Sequence, residues 1–107
     1  MSHFFLLTEQ TCSAKFTQEI KDQRVKEGMK GKFEAHFAGN PQPEVTWEFD
    51  GKVLENSKNI QIKIKEGKTS LTIFECAMEN NGFYNCRVKN QLGADKTRAQ
   101  ITVSSKY

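Results

Sequence analysis

The sequence predicts an all-β domain, built as two antiparallel sheets packed face to face. Short stretches alternate apolar and polar residues, as in Phe33, Ala35, Phe37 and again in Val45, Trp47, Phe49, which turns one side of each strand to a core and the other to water. Between them stand Gly, Pro, Asn and Asp in pairings that reverse a chain. No helical apolar period is sustained anywhere. A length of 107 residues suits one core and leaves no room for a second.

Residues 1–14 show no sustained period and are expected to form a leader, or a linker from a preceding domain. Within them Phe4-Phe5-Leu6-Leu7 is the longest apolar run of the chain, expected either to pack on the domain's end or to belong against a neighbouring domain. It is far too short for a membrane span or the core of a signal peptide. The domain is expected over residues 15–105. Lys15 to Gln18 and Asp22 to Lys26 read as a split first strand, with Val25 as its core contact and Glu27-Gly28 as the turn. The strand of Phe33, Ala35 and Phe37 ends at Gly39-Asn40-Pro41-Gln42-Pro43, where a missing N–H does no harm. After Phe49, Asp50-Gly51 is the strongest two-residue hairpin signal, leading into a short strand at Lys52 to Leu54.

Ile60, Ile62 and Ile64 alternate with Gln61, Lys63 and Lys65, and Glu66-Gly67-Lys68 turns the chain into Thr69 to Phe74. Tyr84, Cys86 and Val88 share one face of the next strand, while Phe83, Asn85 and Arg87 point the other way. Gly93 breaks that strand, and Ala99, Ile101 and Val103 alternate to the end. The inward sets define one core, to which Trp47 contributes most and Leu71 and Ile73 add the facing side.

The order Trp47, Leu71-x-Ile73, Asn80-x-Gly82-x-Tyr84-x-Cys86, Asn90-x-x-Gly93 resembles an immunoglobulin sandwich of the I-set class, over roughly residues 15 to 105. The likeness implies Greek-key connections and a tyrosine corner at Tyr84. A disulfide-bonded member of the family carries the partner of Cys86 at the position of Ala35, so the usual bridge is absent and packing around Phe33 and Phe37 is expected to stand in for it. Domains of the intracellular titin, twitchin and myomesin group often lack the bridge, and the chain is similar to them; a reducing, cytoplasmic compartment is implied. Asn80 stands where the family usually has Asp, so a salt bridge to a basic side chain is expected to be missing, although Asn still accepts backbone hydrogen bonds.

Cys12, Cys76 and Cys86 are odd in number, with no C-x-x-C pair, and suggest neither a disulfide framework nor zinc. Cys86 and Cys76 read as small buried hydrophobes, and Cys12 as the reactive thiol. His36 and His3 have no companions at metal-ligand spacing. Gly28-Met29-Lys30-Gly31-Lys32 lacks the spacing that cradles phosphate, and no acid–base pair with an orienting partner is evident. No catalytic residue, cofactor or metal is expected. The balance of 16 basic and 13 acidic side chains gives a mild field, with no run to read as a nucleic-acid arm and no membrane span.

Lys32 and His36, with Lys63 and Lys65, project from the outer face of one expected sheet and form a candidate docking surface for acidic partners. Glu34 in their midst favours the plainer reading of a solvated face. Phe83 and Phe74 point outward as further contact candidates. The resemblance implies a non-enzymatic spacer and docking module of a large sarcomeric protein, next to other immunoglobulin or fibronectin-type domains and a sarcomeric or cytoskeletal partner. Two alternatives are compatible with the sequence. One is a regulatory or targeting module in a muscle kinase or actin-associated scaffold, marked by a neighbouring kinase domain. The other is a cell-surface adhesion domain without its disulfide, marked by a signal peptide or sequons in the parent.

Overall fold

Alternating side chains give each segment one wet and one dry face, and the computed structural model, which describes residues 10–106, pairs those segments into two sheets. The expectations about Phe4–Leu7 and His3 lie outside the described residues. In order the strands are β1 Cys12–Gln18, β2 Gln23–Lys26, β3 Gly31–Asn40, β4 Glu44–Phe49, β5 Lys52–Val53, β6 Ile60–Lys65, β7 Lys68–Ile73, β8 Gly82–Asn90 and β9 Gly93–Ser104, with a 3₁₀ turn at Met78–Asn80. One sheet runs β1-β3-β7-β6 and the other β2-β9-β8-β4-β5. Neighbours are antiparallel except β2 and β9, which run parallel with Gln23 opposite Ile101 and Lys26 opposite Ser104.

Local chemistry explains the turns. Asp50 and Gly51 both take positive φ, 53° and 82°, the geometry of a two-residue hairpin whose twist matches the flanking strands. Phe49 then faces Lys52 across the ladder. Glu66-Gly67 closes the second hairpin between Lys65 and Lys68, so Lys68 belongs to β7 and not to the turn. Gly93 is required by crowding, since a Cβ there would come within 2.8 Å of the Ser13 Cβ.

Three strand boundaries differ from expectation. β1 begins at Cys12, inside the stretch expected to be leader, and Ala14 is buried with Phe37 and Val88 in a small second cluster. A lone alanine among polar residues carries little periodic signal, so the strand was not legible there. β5 ends at Val53 and β7 at Ile73, one residue short of the expected limits.

The core is aromatic at its centre. Trp47 on β4 stacks with Phe33 on β3 at a centroid distance of 6.3 Å, and Phe33 meets Tyr84 on β8 at 5.5 Å. Ala35 and Cys86 are both wholly buried, and Leu71 and Ile73 pack in the same cluster. The Trp47 indole N–H donates to Thr69 Oγ1 at 3.0 Å, and the Thr69 hydroxyl donates onward to the Lys63 carbonyl at 2.9 Å. The Tyr84 hydroxyl donates to the Asn80 carbonyl at 2.8 Å, closing the tyrosine corner, while Asn80 Oδ1 accepts the Ala77 N–H at 2.7 Å. Asn80 therefore holds the turn without a charge. Cys12, Cys76 and Cys86 are all free thiols, and burial pushes the Cys86 thiol up to about 12.

Three outcomes follow from this core. Trp47→Ala is expected to cost about 3 to 5 kcal/mol, since it empties a large aromatic site and orphans the Thr69 hydroxyl network; a denaturant midpoint matching wild type would refute the placement. In native protein only Cys12 is expected to alkylate quickly, with three adducts once the chain is denatured without reductant, as intact mass will show. Burial raises Tyr84 from 10.0 to about 12, the hydrogen bond to Asn80 opposing, and raises Cys86 from 9.0 to about 12. The unfolded chain thus loses these protons first, so their contribution is complete below pH 9.0 and is lost as pH rises toward about 12, measurable as falling denaturant midpoints.

Candidate interaction surfaces

Strand register decides which of the candidate residues share a surface. On the outer face of the β1-β3-β7-β6 sheet, His36, Lys68 and Lys65 form one cross-strand row, Glu34, Ser70 and Lys63 the next, and Lys32, Thr72 and Gln61 the third. Lys32, Lys63 and Lys65 are exposed and His36 is half-buried. The structure thus brings together the four basic residues that the sequence had grouped, and adds Lys68. The Lys68 ammonium lies 3.1 Å from Glu34 Oε2, and this hydrogen bond, helped by Lys32 and His36, holds the Glu34 carboxyl below its usual range. Lys68 was missed because Glu66-Gly67-Lys68 reads as turn chemistry, which hides that its side chain stands on the sheet.

Phe83 does not join that group. It lies on the outer face of the other sheet, where the Arg98 guanidinium sits 4.1 Å from its ring centroid. Further along the same face Arg87 pairs with Glu48 at 3.2 Å. Phe74, just past β7, is exposed, with the Lys30 ammonium 5.8 Å from its ring.

The two ends of the sandwich differ. Where the chain comes in, Asn90 acts as a clasp: Oδ1 accepts the N–H groups of Ala14, Leu92 and Gly93, and Nδ2 donates to the carbonyls of Cys12 and Pro41. The only sequence signal for this role was its spacing to Gly93. Where the chain leaves, the Glu27 N–H donates to the Ser104 carbonyl at 2.8 Å. There the loops after β2 and after β7 are joined by Gly28 N–H to Cys76 carbonyl and Cys76 N–H to Met29 carbonyl, at 2.7 and 2.8 Å. Those loops carry the exposed side chains of Met29, Phe74 and Met78. Among the described residues, no group of three or more His, Cys, Asp or Glu is placed to hold a metal ion.

Residues 14–103 match the Immunoglobulin I-set domain family. The chain is 35% identical over 94 residues to titin of Drosophila melanogaster, covering 88% of this chain and, to the nearest per cent, 0% of that protein. It is 38% identical over 89 residues to myopalladin of Mus musculus, covering 83% of this chain and 7% of that one. The chain therefore spans a small fraction of these relatives. Among solved structures, titin domains Z1Z2 in complex with telethonin superpose with a TM-score of 0.88 at 34% identity, over 92% of this chain and 51% of that one. Its motifs, its two-sheet order and the extent of this match place the chain in the immunoglobulin I-set domain family.

Proposed function

We propose that the domain is a non-catalytic, load-tolerant spacer in an array within a large cytoplasmic protein of the sarcomere, docking neighbouring immunoglobulin or fibronectin-type domains at its ends. The observation that carries this reading is the parallel pairing of β2 with β9. β1 begins opposite Asn40, at the far end of β3 from Gly31, whereas β9 ends beside Lys26. At about 3.3 Å per residue, the length of β3 separates the two points at which tension acts. Pulling them apart slides β2 against β9 and loads their hydrogen bonds together rather than in turn.

Side chains reinforce that seam. The Phe16 N–H donates to Asp95 Oδ2 at 2.9 Å, the Ile20 N–H to Thr97 Oγ1 at 3.3 Å, and the Gln100 N–H to Asp22 Oδ1 at 2.8 Å, stitching the crossing segment to β9. On the other side of β9, Asn81 Oδ1 accepts the Val103 N–H at 2.7 Å. The exposed Met29, Phe74 and Met78 at the outgoing end supply an apolar surface for a following domain. Free thiols and the absent bridge suit a reducing compartment, and relatives named titin and myopalladin support the sarcomeric assignment.

The test is to stretch a tandem array containing the domain. Wild type is expected to give a resolved unfolding peak, and Val25→Pro, which removes an N–H from β2, a lower one. Asp22→Ala, which removes one stitch and leaves both strands intact, is expected to lower the peak by less. A wild-type trace without a peak, or a peak unchanged in both variants, defeats the mechanical reading.

A further inference from the structure

The outer face of the β1-β3-β7-β6 sheet carries a charge arrangement that spacing and solvation do not require. Lys32, Lys63, Lys65 and Lys68 surround a shallow depression of about 120 Å³ whose floor includes Ser70, with Glu34 at its rim. Four lysines and one carboxylate leave a surplus of three positive charges, as large as the net +3 of the whole chain. On the opposite sheet Arg87 is paired with Glu48, Arg98 lies over Phe83, and Lys89 and Lys96 share their surface with Glu44 and Asp95.

Two plainer explanations fall short. Lysines on an edge strand guard it against unwanted pairing, and this accounts for Lys63 and Lys65 on β6. It does not account for Lys32 on β3 or Lys68 on β7, which are interior strands of the sheet. Glu34 would neutralise the face if it were shared among the lysines. Instead its carboxylate is held by Lys68 at 3.1 Å, and among the described residues Lys32, Lys63 and Lys65 have no carboxylate at ion-pair distance.

We infer that this face is a docking surface for an extended acidic segment of a partner protein, with carboxylates on alternate residues. The register fits that occupant: Lys63 and Lys65 project from alternate positions of β6, at the about 6.6 Å repeat that an extended acidic strand presents. One carboxylate enters the depression, accepting from lysine ammonium groups and the Ser70 hydroxyl, while its neighbours meet Lys63 and Lys65 outside it. Glu34 acts as a selectivity element. It ties up Lys68 and repels anions, so isolated acidic groups gain little, and a segment must engage several lysines at once to hold. The inference goes beyond the proposed function, whose docking sites lie at the ends of the sandwich, and is independent of its mechanical part.

The experiment uses the whole chain and a fluorescein-labelled peptide of alternating Glu and Ser, followed by anisotropy at low and physiological salt. Wild type is expected to bind, with affinity falling as salt rises. Lys63→Gln with Lys65→Gln is expected to weaken binding about five-fold, the scale of two exposed ion pairs. Glu34→Gln, which releases Lys68 and removes the repulsion, is expected to tighten it. Lys89→Gln with Lys96→Gln, on the other sheet and with the same change of net charge, is expected to leave affinity within about two-fold. All these side chains are exposed or at the rim, and equal denaturant midpoints will confirm intact folds. Absence of binding at low salt, equal loss in the two double variants, or no gain in Glu34→Gln overturns the inference. So does binding to phosphatidylserine vesicles without binding to the peptide, which would assign the face to a membrane. A specific peptide result together with a missing force peak would retain this surface while rejecting the mechanical role.

Discussion

The rest of the sandwich depends on Trp47 and the bond its indole makes to Thr69. Trp47 stands on the five-stranded sheet and Thr69 on the four-stranded one, so the N–H···O contact crosses the core where a covalent bridge would otherwise tie the layers. A buried indole N–H without a partner costs the desolvation of a donor, which makes the placement of the hydroxyl as important as the packing of the ring. The Thr69 hydroxyl in turn donates a hydrogen bond to the Lys63 carbonyl on β6. One large side chain thereby fixes the separation of the two sheets and also the position of an edge strand. Ala35 and Cys86 fill the space beside it without a bond between them.

Much of this was legible because strands announce themselves by alternation, and the alternating sets of Phe33, Trp47, Tyr84 and Ile101 all face inward. The hairpin at Asp50-Gly51 was legible for a different reason: few residues tolerate its dihedral angles. What the sequence concealed were polar residues whose roles depend on a partner remote in the chain. Thr69 looks like any strand threonine until Trp47 is set opposite it. Asn90 and Asn81 look like turn residues, yet their side-chain amides hold β1 and the end of β9. Ala14 is buried as a lone alanine among the polar residues of β1, and Ile20 is buried although no period marks it, because its segment crosses from one sheet to the other and keeps no single face.

The candidate surface shows the same division. Which lysines point outward follows from counting along a strand, so Lys32, Lys63 and Lys65 could be grouped in advance. Their electrostatic state could not, because it depends on Lys68 standing across the ladder from His36, near enough to take Glu34. Phe83 was separable from the group only through sheet order, since outward on one layer and outward on the other are identical statements in a sequence. Charge on a β-sheet is therefore a two-dimensional quantity, and a one-dimensional reading recovers only the component along the strand.

The parallel seam between β2 and β9 also governs how the domain is made. Gln23–Lys26 has no sheet partner except Ile101–Ser104, and besides the ladder of β1 with β3, Ala14, Phe16 and Ile20 are held by side chains 76 to 79 residues away. During synthesis β1 can meet β3, but the second sheet cannot take up β2 at its edge until the last residues of β9 have cleared the ribosome. Contacts so distant in sequence make closure slow compared with hairpin formation. For that interval a half-built sandwich exposes its apolar face, and in the proposed array two similar neighbours would offer each other near-identical strands. In such an array, divergence between adjacent domains would guard against pairing with the wrong domain, quite apart from any difference in what those domains bind.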